Sequence, residues 1–176
     1  MKKLFMIMMM SALLAMPVMA QHHRGHYNNQ SCEYRYGNKG RNCSYVKSRG
    51  EVFYNGKLLR GASASSFRDL GGGYAKDNFR VYYRGKRLEK ASVNSFRVLK
   101  NGYARDNFNV YYRGDVMRGA SVNSFRVMKD GYAKDNFYVY YRGQRMDKAS
   151  PNSFKVMKDG YAKDNFNTYY RGKRVR

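Results

Sequence analysis

The chain has 176 residues, of which 35 are Lys or Arg and 12 are Asp or Glu, so its formal net charge is +23. This length suits one domain or one repeat array rather than several large domains. A charge excess of this size destabilises a compact state by self-repulsion, so we expect it to be offset by a polyanionic partner or by dispersal over a large solvated surface.

The first 20 residues predict a Sec-type signal peptide of a bacterial protein. Lys2 and Lys3 precede an apolar stretch that runs to Met16, and the small residue Ala20 stands before the expected cleavage point at Gln21. A membrane anchor is the alternative, but the stretch falls short of the roughly 20 apolar residues that a span needs, and no later segment comes close. We therefore expect a periplasmic or secreted protein with no transmembrane segment after cleavage. Loss of the two lysines leaves a net charge of +21.

Residues 21–31 form a polar segment with three histidines, His22, His23 and His26. If cleavage falls before Gln21, His23 becomes the third residue, where a free amine, two amides and an imidazole bind Cu(II) or Ni(II). An N-terminal Gln, however, tends to cyclise and lose its amine, and a polar tail containing His is common. The three histidines remain candidate metal ligands only, and we predict no metal or other cofactor.

Residues 32–44 contain both cysteines of the chain, Cys32 and Cys43. An even number of cysteines in an oxidising compartment favours a disulfide, and closing so short a loop contributes roughly 2–3 kcal/mol by loop entropy. Neither cysteine has a neighbouring His in sequence, which argues against a nucleophile or a metal ligand. We expect the disulfide to pin this segment as an N-terminal cap.

Residues 45–176 repeat with a period of 29. The recurring positions are Ser66-Phe67, Ser95-Phe96, Ser124-Phe125 and Ser153-Phe154, then Tyr74, Tyr103, Tyr132 and Tyr161, then Val81-Tyr82-Tyr83, Val110-Tyr111-Tyr112, Val139-Tyr140-Tyr141 and Thr168-Tyr169-Tyr170. Tyr45 and Val52-Phe53-Tyr54 extend the pattern one period earlier. A fixed period of this size indicates a repeat architecture.

Each unit carries signals for short strands and tight turns. Asn101-Gly102 suits a type I′ hairpin, Asp106-Asn107 turns readily, and Phe108–Tyr112 is rich in β-branched and aromatic residues. Arg113-Gly114 marks a further turn. We predict an all-β fold of tandem 29-residue meanders with three or four strands each, stacked as an open β stack or solenoid. A five-bladed β-propeller is the alternative, although a propeller blade usually has roughly 40 residues.

Alternation along the third strand of each unit predicts which side chains are buried. We expect Phe79, Val81 and Tyr83 to face the core, as do the equivalent residues of later units and the phenylalanines at 96, 125 and 154. The opposite face then presents tyrosines flanked by arginines. This predicted face consists of Tyr82, Arg84, Tyr111, Arg113, Tyr140, Arg142, Tyr169 and Arg171.

The repeated motif, Tyr-Ala-Lys-Asp-Asn-Phe-x-Val-Tyr-Tyr-x-Gly followed by Ala-x-x-x-Ser-Phe, resembles the DKNYY repeat family of bacterial exported or envelope-associated proteins. The resemblance covers roughly residues 45–176. It departs from the family pattern at Lys76-Asp77-Asn78-Phe79, where the family tends to have Asp-Lys-Asn. The resemblance implies a location and an architecture and implies no activity.

Catalytic residues are not predicted. The periodic Asp77, Asp106, Asp135 and Asp164 precede Asn in turns, where Asp bonds its own backbone. The remaining acids are scattered without a partner His or Ser, and the sequence has neither a Gly-rich phosphate loop nor a nucleophile elbow. We therefore predict that the protein is not an enzyme.

The predicted face of Arg and Tyr suggests the function. Arg pairs bidentately with phosphate, and aromatic side chains stack on rings. We predict an exported binding module for envelope or extracellular polyanions, namely an acidic polysaccharide, lipopolysaccharide or extracellular DNA. The alternative is a structural or protein–protein interaction scaffold, with an envelope protein as partner and with a charge that only solvates an exposed face.

Overall fold

The computed structural model describes residues 45–175. Three predicted features lie outside the described residues: the signal peptide at 1–20, the histidine segment at 21–31, and the cap at 32–44 with its Cys32–Cys43 disulfide. The described residues form strands, turns and connecting segments, which confirms the all-β prediction. Between residues 45 and 175, no helix is long and apolar enough to cross a membrane.

These residues form 19 strands in five antiparallel sheets. The first sheet contains β1 (Tyr45–Ser48), β2 (Glu51–Tyr54) and β3 (Lys57–Leu58). The second contains β4 (Arg68–Gly71), β5 (Tyr74–Lys76), β6 (Val81–Tyr83) and β7 (Lys86–Arg87). The third contains β8 (Arg97–Val98), β9 (Tyr103–Arg105), β10 (Val110–Tyr112) and β11 (Asp115–Val116). The fourth contains β12 (Arg126–Val127), β13 (Tyr132–Lys134), β14 (Val139–Tyr141) and β15 (Gln144–Met146). The fifth contains β16 (Lys155–Val156), β17 (Tyr161–Lys163), β18 (Thr168–Tyr170) and β19 (Lys173–Arg174).

Each sheet is a meander, because every strand pairs with the next strand along the chain. We name the four strands of a sheet A, B, C and D in chain order, so that β8 to β11 are strands A to D of the third sheet. In that sheet Tyr111 of strand C is opposite Ala104 of strand B and Val116 of strand D. One sheet corresponds to one 29-residue unit, and the strands β1 to β3 are B, C and D of the first unit.

The turns adopt the conformations that their residues predict. Asn101 and Gly102 have φ of 59° and 80°, the positive values that a type I′ turn requires, and the Tyr103 amide closes this turn by donating to the Lys100 carbonyl. Between strands C and D, Arg113 and Gly114 have φ of 50° and 90°. Glycine is required at position 114 for a second reason, since a Cβ there would stand 2.7 Å from Cδ1 of Tyr83 in the preceding unit.

The core lies between successive sheets. One buried cluster joins Tyr74 and Val81 of the second sheet to Phe96, Ala104 and Tyr111 of the third. Equivalent clusters join the other successive pairs of sheets. Because neighbouring residues of a strand point to opposite faces, an internal sheet gives one set of side chains to the unit before it and another to the unit after it. The predicted open stack of repeats is thereby confirmed.

The predicted faces of strand C are wrong for two sets of aromatic residues. The prediction placed one face in the core and the other in water, whereas neighbouring units cover both faces of each internal sheet. The tyrosines predicted to be exposed are almost fully buried, with 1–2 % of their surface accessible: Tyr82, Tyr111, Tyr140 and Tyr169. The phenylalanines predicted to be buried are exposed: Phe79, Phe108 and Phe137, together with their equivalent Phe166. These phenylalanines precede strand C and lie in its turn, where strand alternation does not apply.

The predictions for the valines of strand C and for the phenylalanines before strand A are confirmed, whereas Tyr83, Tyr112 and Tyr141, also predicted to be buried, are half-buried. Val81, Val110 and Val139 are fully buried, and Phe96, Phe125 and Phe154 are buried. Each of these phenylalanines lies between two tyrosines, as Phe125 does between Tyr103 of the preceding unit and Tyr140 of its own, with ring centroids 5.5 and 5.7 Å apart. Tilted aromatic contacts of this kind contribute about 0.5–1.5 kcal/mol beyond area burial.

Tyrosine hydroxyl groups link each unit to the next. The Tyr103 hydroxyl donates to the carbonyl of Gly131 at 3.1 Å and accepts from the amide of Gly143 at 3.0 Å. Tyr45, Tyr74 and Tyr132 make the same pair of bonds one unit apart. Since the acceptor and donor belong to two different turns of the following sheet, each hydroxyl fixes how the next unit sits on the previous one.

The fifth sheet marks an open end of the stack. Its strand B tyrosine, Tyr161, has 44 % of its surface exposed, whereas the equivalent Tyr132 is fully buried. Thr168 stands where the internal sheets have valine, and it is half-buried whereas those valines are fully buried. A closed propeller would cover this face, so the five-bladed alternative is not adopted.

Candidate functional site

The periodic aspartates are structural residues that hold the turn between strands B and C. Oδ1 of Asp135 accepts from the amides of Phe137 and Tyr138, each at 2.7 Å. Oδ2 accepts from the Ser121 amide and from the Tyr140 hydroxyl, each at 2.9 Å. Asp77, Asp106 and Asp164 make the same four contacts. The predicted backbone bonds of these turn residues are therefore confirmed, and the carboxylates also hold the segment that connects one unit to the next.

Hydrogen bonds set the ionisation of each buried pair of an Asp carboxyl and a Tyr hydroxyl, such as Asp135 and Tyr140. Burial acts to raise the pKa of the Asp135 carboxyl, but the donors from Ser121, Tyr138, Phe137 and Tyr140 outweigh burial and lower that pKa. The pKa values of the Asp77 and Asp164 carboxyls are lowered in the same way. For the tyrosines, burial and the neighbouring carboxylate raise the pKa, to about 12 in Tyr82 and Tyr169. At neutral pH the carboxylate is thus charged and the hydroxyl is its donor.

The two ends of the strands present different surfaces. At one end lie the turn between strands B and C and the segment that connects successive units. A hydrogen bond from the Ser63 amide to the Asp77 carboxylate joins this segment to that turn. At the other end lie the A–B turn and the C–D turn, which the bond from the Arg84 amide to the Gly73 carbonyl joins. Exposed functional groups therefore belong to one end or the other.

At the second end, one exposed arginine in each of units two to five lies over a tyrosine ring. We call this surface the arginine edge. It consists of Arg84, Arg113, Arg142 and Arg171, whose guanidinium carbons lie 5.2–5.6 Å from the ring centroids of Tyr83, Tyr112, Tyr141 and Tyr170. All four arginines are exposed. A cation over an aromatic face at this distance is attracted by the ring quadrupole.

The arginines occupy backbone positions that do not favour them. Their φ values lie between 46° and 50°, a left-handed conformation that costs an L-residue about 1–2 kcal/mol and that Asn or Gly tolerates better. The first unit has Asn55 at this position. Residues held in such conformations cluster at functional sites, so four arginines in these turns point to a role for their side chains.

The arginine side chains are also held in place along their length. Cγ of Arg113 lies 3.3 Å from the position that a Cβ on Gly102 would take, so the side chain crosses the neighbouring A–B turn. Gly131 and Gly160 stand in the same relation to Arg142 and Arg171. The guanidinium groups are therefore held in position by contacts within the protein.

The first end presents one exposed phenylalanine in each of units two to five. We call these residues the phenylalanine tips: Phe79, Phe108, Phe137 and Phe166, whose exposed fractions are 72 %, 74 %, 66 % and 80 %. The Asp hydrogen bonds hold their backbone, and the preceding Asn amide donates to a serine hydroxyl, as Asn107 does to Ser95 at 3.1 Å. Each apolar ring is thus held rigidly in water.

Charge on the described surface is strongly positive. Four of the 12 acidic residues of the chain, the aspartates in the B–C turns, are buried, whereas every lysine and arginine between residues 45 and 175 is at least partly exposed. Arg97 even stands opposite Arg105 across strands A and B, although like charges in this position destabilise a sheet. The exposed surface of residues 45–175 is therefore more cationic than the net charge of those residues indicates.

The structure separates the predicted site residues into two groups. It exposes the four predicted arginines in one edge and removes the four predicted tyrosines from it, since those are buried partners of the aspartates. The tyrosines beside the arginines are instead the next residues in sequence, at 83, 112, 141 and 170. The first unit shows in sequence that the two tyrosines of strand C have different roles. Ser48 and Phe53 replace the Asp and the buried Tyr together, while Tyr54, equivalent to the tyrosines beside the arginines, is kept.

Other predicted ligands are not tested by this arrangement. His22, His23, His26, Cys32 and Cys43 lie outside the described residues. Within residues 45–175, no group of three or more His, Cys, Asp or Glu side chains is placed to hold a metal ion.

Comparison with known proteins identifies the repeat. Neither the curated proteins nor the solved structures contain a match to this chain. Residues 73–136, which include the third sheet and parts of its two neighbours, match the model of the DKNYY family, and this match confirms the family resemblance that the repeated motif predicts.

Proposed function

We propose that the protein is an exported, non-catalytic β-repeat module that binds envelope or extracellular polyanions through the arginine edge. The candidate ligands are an acidic glycan, lipopolysaccharide and extracellular DNA. The observation that carries this proposal is the row of four exposed arginines, each in a left-handed turn and each stacked on a tyrosine.

The chemistry of the edge fits a chain of anionic groups. A guanidinium group offers a planar fork that pairs bidentately with phosphate, sulfate or carboxylate. The A–B turns at the same end add the exposed cations Lys100, Lys129 and Lys158. Because the units are equivalent, the cations recur along the stack as anionic groups recur along a polymer.

Pre-positioned side chains favour binding for an entropic reason. An arginine that is free in solution loses rotamer freedom on binding, at about 0.5–1.5 kcal/mol for each immobilised side chain. Stacking on Tyr112 and contact with the Gly102 turn already restrict Arg113. The edge therefore pays less of this cost than a flexible cluster of lysines.

Export and lack of catalysis rest on separate supports. Export is supported by the leader-like residues 1–20 and by the family resemblance. A non-catalytic role is supported by the aspartates in the B–C turns, whose oxygens are all occupied by structural hydrogen bonds.

Retention on immobilised heparin tests the proposal. The variant R84N/R113N/R142N/R171N removes the edge while placing at each turn a residue that tolerates positive φ. The matched control R68Q/R97Q/R126Q/K155Q removes the same number of cations from strand A. We expect the edge variant to elute at much lower salt than the control, and equal elution of the two variants would refute a role for the arginine edge.

A protein–protein scaffold is the second candidate function, and the phenylalanine tips favour it. Exposed aromatic side chains are enriched at the centres of protein interfaces. In this case a defined protein partner is captured by the unmodified chain and by the edge variant alike, and is lost when all four tips are replaced by serine. Capture that survives loss of the tips would exclude this candidate.

A further inference from the structure

The third unit differs from the second and the fourth at two positions, one in strand D and one just after it. In the second unit, Arg87 pairs with Glu89 at 3.0 Å, and in the fourth, Arg145 pairs with Asp147 at 2.5 Å. The equivalent residues of the third unit are Val116 and Arg118. An arginine–acid pair is thus replaced by an apolar residue and an arginine.

This exchange leaves a cation without a counter-charge. Arg118 is exposed, and no other residue between 45 and 175 forms an ion pair or a side-chain hydrogen bond with it. Val116 packs into the core cluster between the second and third sheets. The acid of units two and four is therefore replaced by a cation in the third unit.

A groove of about 510 Å³ lies at this place. Its lining includes the apolar residues Phe108, Val116 and Met117 and the cationic residues Lys90 and Arg118. In the fourth unit the equivalent of Val116 is Arg145, whose guanidinium carbon lies 4.5 Å from the ring centroid of Tyr138. The third unit has Asn109 where the fourth has Tyr138.

The first unit shows that the exchange alone is not enough to form such a groove. It carries Leu58 and Arg60 where the third unit carries Val116 and Arg118, but Gly50 stands where the third unit has Phe108. Of the described units, the third therefore combines an aromatic wall, an apolar floor and an unpaired arginine.

We infer that this groove binds one acidic sugar residue of a glycan. The inference rests on the proposed polyanion binding and names its ligand class. The apolar face of the sugar ring packs on Phe108, and its carboxylate pairs with Arg118. Asn109 and Asp115 also line the groove, where the Asn109 amide donates to or accepts from sugar hydroxyls and the Asp115 carboxylate accepts from them. A sugar offers more hydroxyl donors to the Asp115 carboxylate than a nucleotide does, which favours a glycan over a nucleic acid.

Calorimetric titration of the purified chain with three probes tests the inference. The probes are a tetrasaccharide of galacturonic acid, a neutral galactose tetrasaccharide and a single-stranded oligonucleotide of equal charge. The variant V116R/R118E gives the third unit the arginine–acid pair of the second, so the fold already accommodates the new residues. K155Q lowers the net charge by the same single unit and serves as the control.

We expect V116R/R118E to lower the affinity for the acidic tetrasaccharide by at least about tenfold, since a charge-assisted hydrogen bond is lost, while K155Q leaves it within about twofold. Unchanged affinity in V116R/R118E, or equal affinity of the unmodified chain for the neutral tetrasaccharide, would overturn the inference. So would a selective loss of oligonucleotide binding. Heparin retention reports the arginine edge separately, because V116R/R118E leaves its four arginines in place.

Discussion

The hydroxyl of Tyr140 donates a 2.9 Å hydrogen bond to Oδ2 of Asp135, and both side chains are buried. The same carboxylate accepts three backbone amides from two segments of the chain. In the first unit the equivalent residues are Ser48 and Phe53. The Asp and the Tyr are therefore kept together or lost together, as expected of two residues that stabilise the fold as one unit.

A double-mutant cycle measures this coupling. Asp135→Ser leaves the Tyr140 hydroxyl and the amides without their acceptor, and we expect a loss of about 2–4 kcal/mol in the free energy of unfolding. Tyr140→Phe leaves one carboxylate oxygen short of a donor and costs about 1–3 kcal/mol. The double variant reproduces the pair of the first unit, so we expect it to cost at least about 1 kcal/mol less than the sum. Additive urea-unfolding values would contradict a coupled pair.

Acid should destabilise the stack. The carboxyls of Asp77, Asp135 and Asp164 have folded-state pKa values below the ordinary 3.8 because hydrogen-bond donors outweigh the effect of burial. A lowered folded pKa contributes stability that is present above the unfolded pKa and is lost as the pH falls through the folded pKa. We expect the urea midpoint to fall progressively below about pH 4. A urea midpoint that stays constant from about pH 5 to about pH 2 would show that these carboxylates contribute little to the free energy of unfolding.

The sequence predicts the architecture better than it predicts the surface. The 29-residue period, the Asn-Gly and Arg-Gly turns and the buried valines follow from spacing and from turn chemistry. The sequence does not predict which face of strand C meets water. Alternation places Tyr82 and Tyr83 on opposite faces, but it does not show whether a neighbouring sheet covers each face. In a stack of sheets both faces are covered, so the exposed residues are those in turns and at sheet edges.

Departures from the repeat carry the missing information. Thr168 replaces valine in the last unit, which marks the face of strand C that points along the stack. The exchange of an acid for Arg118 likewise distinguishes the third unit from the second and the fourth. Neither departure reveals the groove by itself, because its volume depends on how far Phe108 and the connecting segments stand apart.

The link between units depends on the strand B tyrosines, and Tyr161 offers a matched control. Tyr103→Phe removes the donor to Gly131 and the acceptor for the Gly143 amide, so we expect a loss of about 1–3 kcal/mol in the free energy of unfolding. Tyr161→Phe, on the open face of the last sheet, should change stability by less than about 0.5 kcal/mol. Equal effects in thermal or urea unfolding would mean that the hydroxyl bonds do not join the units.

Two alanine variants separate the effect of glycine packing on the preceding unit from the effect of its positive φ. Gly143 has φ of 81°, and a Cβ there would stand 2.5 Å from Cδ1 of Tyr112. Gly119 has φ of 79° with nothing within 4 Å. Gly119→Ala should cost about 1–2 kcal/mol from the left-handed conformation alone, and Gly143→Ala should cost about 1–3 kcal/mol more because of the overlap. Similar losses for the two alanine variants would show that Tyr112 moves aside freely.

The salt dependence of binding to a DNA duplex tests the arginine edge most directly. The slope of log K against log salt concentration changes by about 0.9 for each phosphate contact. We predict a slope that is about 3–4 shallower for R84N/R113N/R142N/R171N than for the unmodified chain if all four arginines contact phosphate, and a smaller change for R68Q/R97Q/R126Q/K155Q. Identical slopes for the unmodified chain and the edge variant would contradict polyanion binding through these arginines.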